Sequence, residues 1–311
     1  MSESMKRRTF IRNSAIGATA LATTPLFANC TREKELKISL AQWSLHRSFR
    51  NGDLDPVDFA SIAMEKYKIH AIEYVNGLYP DKGSDESFWK EMKTRSADAG
   101  VKNLVLMVDD EGDLGAASEK KRLQSVENHY KWVNAAKLLA CPTMRVNAFG
   151  DSDREIYRMA IKDGMSRLAD YAAESGINIV IENHGLFSSD AALIAEIIRE
   201  VNRPNFGSFP DFGNWCLSAK WGTTQGECDR VYDRYQGVSE LLPFAKAVSA
   251  KSYNFNDKGE DTKIDYYKMM KIVKESDYKG YIGIEYEGME KSEHEGILIT
   301  KELMKKAWSK A

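Results

Sequence analysis

From Leu36 onward the chain alternates short apolar runs with longer amphipathic stretches. The short runs, at 37–43, 71–75, 103–108, 143–147, 178–182, 205–210, 247–252 and 281–285, have the length and β-branched content of strands. Between and after them, apolar residues recur at helical spacing over 56–67, 86–99, 119–139, 154–174, 190–201, 229–244, 265–275 and 290–307. Strictly alternating strands and helices call for parallel strands joined by crossover helices. Eight such units predict closure into a single (β/α)8 TIM barrel. A doubly wound open sheet would need a glycine-rich phosphate turn after its first strand, and the segment from Trp43 to Arg47 has no glycine. With no linker or low-complexity stretch after Thr31, residues 31–311 read as one barrel domain.

In such a barrel the chemistry gathers where the strands end. The residues there are Gln42 and Ser44, Glu73, Asp109 and Asp110, Arg145 and Asn147, Glu182 and His184, Asp211 and Asn214, Lys251, and Glu285 with Glu287. Strand alternation puts Arg145 with Asn147, and Glu182 with His184, on common faces. Each acid alone has an ordinary reading as a loop residue or helix cap. Carboxylates from strands two, five, six and eight converging on one mouth do not, because ionised carboxylates in a confined site repel unless a cation or shared protons neutralise them. A divalent metal is the common solution, with oxygen ligands and an imidazole suiting Mn, Mg, Co or Zn; Arg145 and Lys251 offer a second, metal-free one.

Composition narrows the partners. The 311 residues are 43% hydrophobic and 29% charged, which is ordinary for a globular protein and excludes disorder and collagen. Forty-four Lys and Arg oppose 46 Asp and Glu, a net charge of −2 that gives no global attraction to nucleic acid. The four cysteines, Cys30, Cys141, Cys216 and Cys228, match no zinc or CxxC spacing. Cys216 and Cys228 are read as two buried thiols, with pairing as the alternative in an oxidising compartment.

The first thirty residues read as an export signal. A basic cluster, Lys6 to Arg8 with Arg12, precedes a small and apolar run from Ser14 to Phe27 that is too short to span a membrane stably. Arg7-Arg8-Thr9-Phe10-Ile11 resembles the twin-arginine signal. Cleavage after Ala28 would release a periplasmic protein with no integral membrane segment. Lipidation at Cys30 is the minority reading, because Asn29 is large for the position before a lipidated cysteine.

The runs Ile179-Val180-Ile181-Glu182-Asn183-His184, Pro210-Asp211-Phe212-Gly213-Asn214, Lys251 and Gly283-Ile284-Glu285-Tyr286 resemble the sugar phosphate isomerase/epimerase family of xylose-isomerase-like TIM barrels. The likeness extends over essentially the whole mature chain. It implies a divalent metal held by the Glu ending strand five, the Asp ending strand six, a His on strand seven and the Glu ending strand eight, which carries over to Glu182, Asp211 and Glu285. Two positions depart: the strand-seven His is Ser249, and a second His, three residues after the Asp, is Asn214. His184 is the candidate replacement.

The resemblance implies an enzyme moving a proton next to a carbonyl of a carbohydrate, with Glu182 and Glu285 as acid and base and Lys251 or the metal at the enediolate oxygen. Trp43, Glu73, Arg145, Asn147 and Asn214 are the candidate substrate-binding residues. Export disfavours phosphorylated sugars, leaving free sugars or 3-keto-glycosides, with lyase or hydrolase chemistry on the latter included. The competing readings are a non-catalytic sugar-binding barrel, in which Trp43, Trp215, Trp221 and Tyr253 stack on sugar faces, and a Schiff-base aldolase using Lys251.

Overall fold

The computed structural model describes residues 34–311; the basic cluster and apolar run read as an export signal lie outside the described residues. Eight strands follow the sequence pattern: β1 Ile38–Ala41, β2 Ala71–Val75, β3 Lys102–Val108, β4 Thr143–Asn147, β5 Asn178–Glu182, β6 Phe206–Phe209, β7 Val248–Ser252 and β8 Ile282–Tyr286. They form one parallel sheet in the order β6-β5-β4-β3-β2-β1-β8-β7. The two ends meet through parallel bridges Ser208 to Ala245 and Asp211 to Ser249. Across that seam Lys246 N donates to Ser208 O (3.1 Å), Ser249 N to Pro210 O (3.0 Å) and Phe212 N to Ser249 O (3.1 Å), so the sheet closes into a (β/α)8 barrel.

The helices are α1 His46–Arg50, α2 Phe59–Tyr67, α3 Glu86–Asp98, α4 Glu119–Leu139, α5 Arg154–Ala173, α6 Ala191–Val201, α7 Arg234–Leu241, α8 Tyr266–Glu275 and α9 Glu293–Lys310. Their starts are set by side chains that accept first-turn N–H groups: Asp85, Ser118, Asp153, Asp190, Asp233, Asp265 and Ser292. Ser292 and Glu295 complete a reciprocal capping box. Among the described residues no helix is long and apolar enough to cross a membrane.

The structure corrects the sequence reading in three places. Strand β1 ends at Ala41, and Gln42–Leu45 form a 3-10 turn. There Gln42 Oε1 takes the N–H of Val75 (3.1 Å), while Ser44 Oγ accepts from Tyr286 N and donates to Ile284 O (both 3.0 Å), so side chains do the work of the ladder. Helix α7 starts at Arg234, because Cys216 and Cys228 are joined by a disulfide and Cys216 bridges Val231, holding the preceding residues in a loop. The expectation of two buried thiols is therefore overturned. Helix α1 had no counterpart in the pattern, being a single short turn.

Strand alternation produces two cores. Outward residues such as Leu40, Ile72, Leu106, Val146 and Ile181 pack with helix residues including Phe59, Met92, Val133, Ile161, Ile194, Met270 and Met304. Inside the barrel, Ala41, Val75, Val105, Met107, Val180, Phe209 and Ala247 form a small separate cluster. The barrel interior also holds polar side chains. Ser39 of β1 donates to Glu73 Oε1 of β2 (2.6 Å). Gly283 of β8 makes room for that carboxyl, since a Cβ there would stand 2.5 Å from Glu73 Oε1.

Burial pushes the Glu73 carboxyl up to about 8, and the charge of Glu285 acts in the same direction. The folded chain thus keeps a proton that the unfolded chain releases above about pH 4.3, so this residue makes stability fall as pH rises towards 8. Glu73→Gln keeps the shape without the charge. Relative to wild type its melting temperature should be close at pH 4.5 and higher at pH 8, a gain on the order of 2–4 kcal/mol. A difference independent of pH in parallel thermal melts would refute this.

Candidate active site

Inward positions at the C-terminal ends of the strands bring Arg145 and Asn147 (β4), Glu182 (β5), Ser249 and Lys251 (β7) and Glu285 (β8) to one place. Asp211 joins them from the turn after β6. That turn is fixed by Asn183, whose Nδ2 donates to Asp211 O and Asn214 O (both 3.0 Å) and whose Oδ1 accepts from Asp211 N (2.7 Å). Asp211 Oδ1 then takes the N–H groups of Gly213 (2.7 Å) and Asn214 (2.8 Å), which leaves Oδ2 for the centre of the barrel. Oxygens of Glu182, Asp211 and Glu285 all lie within 4.8 Å of one another.

Two cations face these acids. Arg145 pairs with Asp109 (Nη1 to Oδ1, 2.5 Å) and Glu182 (Nε to Oε2, 2.8 Å). Lys251 Nζ lies 3.3 Å from Glu285 Oε1 and 3.4 Å from Glu287 Oε2, and Trp43 Nε1 donates to the other oxygen of Glu287 (2.7 Å). Although burial opposes it, the Arg145 guanidinium holds Asp109 below the usual carboxylate range. Burial of Lys251 is likewise outweighed by Asp211, Glu285 and Glu287, which hold its ammonium charged. Were all five carboxylates ionised, two cations would leave three negative charges in excess. Burial accordingly raises Glu182 well above the usual range and pushes Asp211 up to about 6.

The serine at 249 exposes the same imbalance. Its Oγ is 2.5 Å from Asp211 Oδ2 and 2.9 Å from Glu285 Oε2, yet a hydroxyl has one proton and can donate to only one of them. The second short contact requires a shared proton or a cation. Asn214 Oδ1 is buried without a hydrogen-bond donor, and Glu182 Oε2 has the Arg145 ion pair as its partner. Three convergent carboxylates, with one hydroxyl between two of them and an unused amide oxygen beside the third, fit a hard divalent cation.

His184 does not belong to that cluster. Its Nδ1 is 2.6 Å from Asn147 Oδ1, and Asn147 Nδ2 donates to Asp109 Oδ1 (2.7 Å). Because an amide oxygen only accepts, Nδ1 carries the proton and Nε2 is the acceptor. Burial, with Arg145 nearby, keeps the ring neutral.

The cavity above has a volume of about 480 Å³. Of the residues proposed from the sequence, Trp43, Arg145, His184, Asn214, Trp221, Lys251 and Glu285 line it. Glu182 and Asp211 lie just beneath, fully buried, and Asn147 lines an adjoining cavity of about 160 Å³. Glu73 is absent from both walls. Trp215 and Tyr253 are fully buried, so they pack the barrel instead of offering ring faces to a ligand. His46, Arg50, Thr223 and Gln225 also line the main cavity. His46 and Arg50 belong to the short helix α1 and Thr223 and Gln225 to the loop before α7, none of them within a periodic pattern, so the sequence carried no signal for them.

A family model of the xylose isomerase-like TIM barrel matches residues 62–307. The chain belongs to that family. No curated protein sequence matches it. Among solved structures it is similar to 3-keto-D-glucoside 4-epimerase YcjR from E. coli, at 14% identity and a TM-score of 0.62, covering 88% of this chain and 100% of that one. It is similar to the IOLI protein solved with a zinc atom, at 15% identity and TM-score 0.64, covering 88% and 99%. D-psicose 3-epimerase from Clostridium cellulolyticum, solved with D-tagatose, aligns at 9% identity and TM-score 0.63, covering 88% and 97%. At these identities the likeness establishes the fold of this family member.

Arg145 is the pivot of the site's electrostatics. Arg145→Met should destabilise the protein by about 3–5 kcal/mol at pH 7, because Asp109 and Glu182 lose their buried cation. The loss should shrink towards pH 4, where those groups take up protons. Urea unfolding at both pH values measures it, and a loss equal at the two would mean that packing, not charge, is what Arg145 supplies.

Proposed function

We propose that this barrel is an isomerase- or epimerase-like enzyme that moves a proton at a carbon next to the carbonyl of an unphosphorylated sugar or keto-glycoside, with a divalent metal held by Glu182, Asp211 and Glu285. The observation that carries the reading is the meeting of those three carboxylates, within 4.8 Å, in the floor of a sugar-sized cavity. The family membership and the sugar epimerases of like fold support it.

In this scheme Glu285, on the cavity wall and partnered by Lys251, takes the proton from the carbon. Glu182, held by Arg145 and Asn214, orients the opposite side and returns a proton in epimerisation. The buried Lys251 ammonium lies where an enediolate oxygen would develop charge, and His184 presents Nε2 to a substrate hydroxyl. A bound divalent ion would supply Lewis-acid polarisation of the carbonyl. Ser249, replacing the imidazole implied by the family, makes the donor set all oxygen, which favours Mn or Mg over Zn. A Schiff base at Lys251 is disfavoured, because its ammonium is held charged and amine attack needs the neutral form.

Wild-type protein incubated in deuterated water with unphosphorylated ketoses and 3-keto-glycosides should place deuterium next to the carbonyl. Glu285→Gln should lower that exchange by about 10²–10⁴-fold while retaining sugar binding. Exchange unaltered in both Glu285→Gln and Glu182→Gln would overturn the mechanism. Adding Mn or Mg to chelator-treated protein should raise its melting temperature, and that gain should vanish in Asp211→Asn.

The reading includes export to the periplasm through the twin-arginine route, supported by Arg7 and Arg8 and compatible with the disulfide. Replacing both arginines by lysine should leave the precursor in the cytoplasm. Normal export of that variant, seen by cell fractionation, would assign the chain to another route.

A further inference from the structure

The loop between β6 and α7 is held more firmly than a surface connection needs. The Cys216–Cys228 disulfide closes it, and Cys216 N donates to Gly222 O (2.9 Å), Leu217 N to Arg230 O (2.8 Å) and Tyr232 N to Trp215 O (2.9 Å). Its tip is pinned to the end of β5. Lys220 bridges Gly185, Leu186 N donates to Ala219 O (3.2 Å), and the two segments approach so closely that a Cβ on Gly185 would stand 2.2 Å from Ala219 O.

What this clamp holds is Trp221, in the left-handed region at φ 71°, a conformation that disfavours a bulky side chain. The indole stands nearly perpendicular to His184 (centroids 4.9 Å apart) and to Phe149 (5.4 Å), and 37% of the residue is exposed at the cavity rim. Trp43, the other indole of the cavity, has a ring stacked on it, His46, as well as Arg50, both at 4.7 Å, whereas Trp221 has no stacked ring and the Lys220 ammonium over it at 5.1 Å, so Trp221 is the freer platform. Phe149 and Lys220, from the same cluster, line the adjoining cavity of about 160 Å³, and Asp110 lines both cavities. The reacting groups Lys251 and Glu285 lie on the buried floor.

We infer that Trp221 is the wall of an outer sugar subsite, set in place by the Cys216–Cys228 disulfide, and that the chain therefore prefers glycosides of two rings to free monosaccharides. The inference rests on the reading of the cavity as a sugar site. One ring occupies the carboxylate floor; the second lies against the exposed indole, whose apolar face matches the C–H face of a pyranose. A clamped aromatic loses little conformational freedom on binding, which is the advantage of the disulfide and the strained backbone. Reduction would free the loop, so full affinity belongs to the oxidised protein.

The test is calorimetric titration of the Mn-loaded mature protein with glucose and with cellobiose, maltose, sucrose and trehalose. At least one disaccharide should bind about tenfold more tightly than glucose. Trp221→Ala should remove that margin, costing the disaccharide about tenfold more than glucose, Trp221→Phe should keep most of it, and either dithiothreitol or the Cys216→Ser/Cys228→Ser double variant should act like Trp221→Ala. No disaccharide exceeding glucose, equal losses for both ligands in Trp221→Ala, or an undiminished margin after reduction would each overturn the inference. Because unoxidised sugars report binding alone, a disaccharide margin without deuterium exchange would refute the proposed reaction and leave the subsite standing.

Discussion

Gathering five carboxylates, three of them buried, around two buried cations at one end of a barrel constrains everything near it. Among the described residues Asp109, Glu182, Asp211, Glu285 and Glu287 share Arg145 and Lys251, and the cost of that arrangement is visible in the raised carboxyls of Glu182 and Asp211. The rest of the chain is arranged to tolerate it. Closed ladders on all sides keep the strand ends rigid, the separate apolar cluster inside the barrel supports the site from below, and side-chain amides at Asn147, Asn183 and Asn214 hold the acids in orientation. A cluster assembled only for stability would pair charges evenly or replace them with apolar side chains, which is commonly neutral or better for folding. An excess of negative charge is useful where a cation or a proton is to be bound.

The same constraint explains how the departures from the family pattern remain compatible with a working site. Ser249 gives up an imidazole but spans Asp211 and Glu285 with one hydroxyl, so the two acids stay in register across the seam where β6 and β7 meet. Asn214 gives up the other imidazole and instead donates to Glu182, while its backbone N–H serves Asp211. Both changes exchange nitrogen donors for oxygen chemistry. His184, which the sequence offered as a replacement ligand, is committed through Nδ1 to Asn147 and faces the cavity as a neutral ring. Its place is therefore beside a ligand's hydroxyls, outside the carboxylate cluster.

The barrel was legible in the sequence because its elements are long and periodic, and β2, β4 and β5 fall on the residues that the pattern marks. The pattern misled where side chains substitute for backbone pairing, as at Gln42 and Ser44 after β1, and where a covalent bond overrides helical spacing, as in the residues before α7. Site residues on strands were legible for the same reason: alternation fixes their face. Glu73 shows the limit of that logic. It points inward, but depth along the strand is not encoded by alternation, and the carboxyl lies beside Ser39 and Gly283, away from the cavity. Thr223 and Gln225 reach the cavity only because a loop folds back, a long-range fact that no local pattern carries.

The division of labour between strands and loop follows from rigidity. Arg145, Glu182, Lys251 and Glu285 sit on strands whose backbones are paired on both sides, and Asp211 follows β6 in a turn fixed by Asn183, since a shift of even an ångström would alter their electrostatic balance. Trp221 needs only to present an apolar surface, which a loop can do if its freedom is removed by other means. Here a disulfide, a glycine-to-glycine approach and perpendicular ring packing remove it. Chemistry is thereby assigned to the part of the fold that sequence alternation determines most tightly, and ligand preference to the part that covalent and local packing devices determine. On the proposed reading, a barrel built this way changes the ligands it accepts by rewriting one loop, while the carboxylate floor remains as it is.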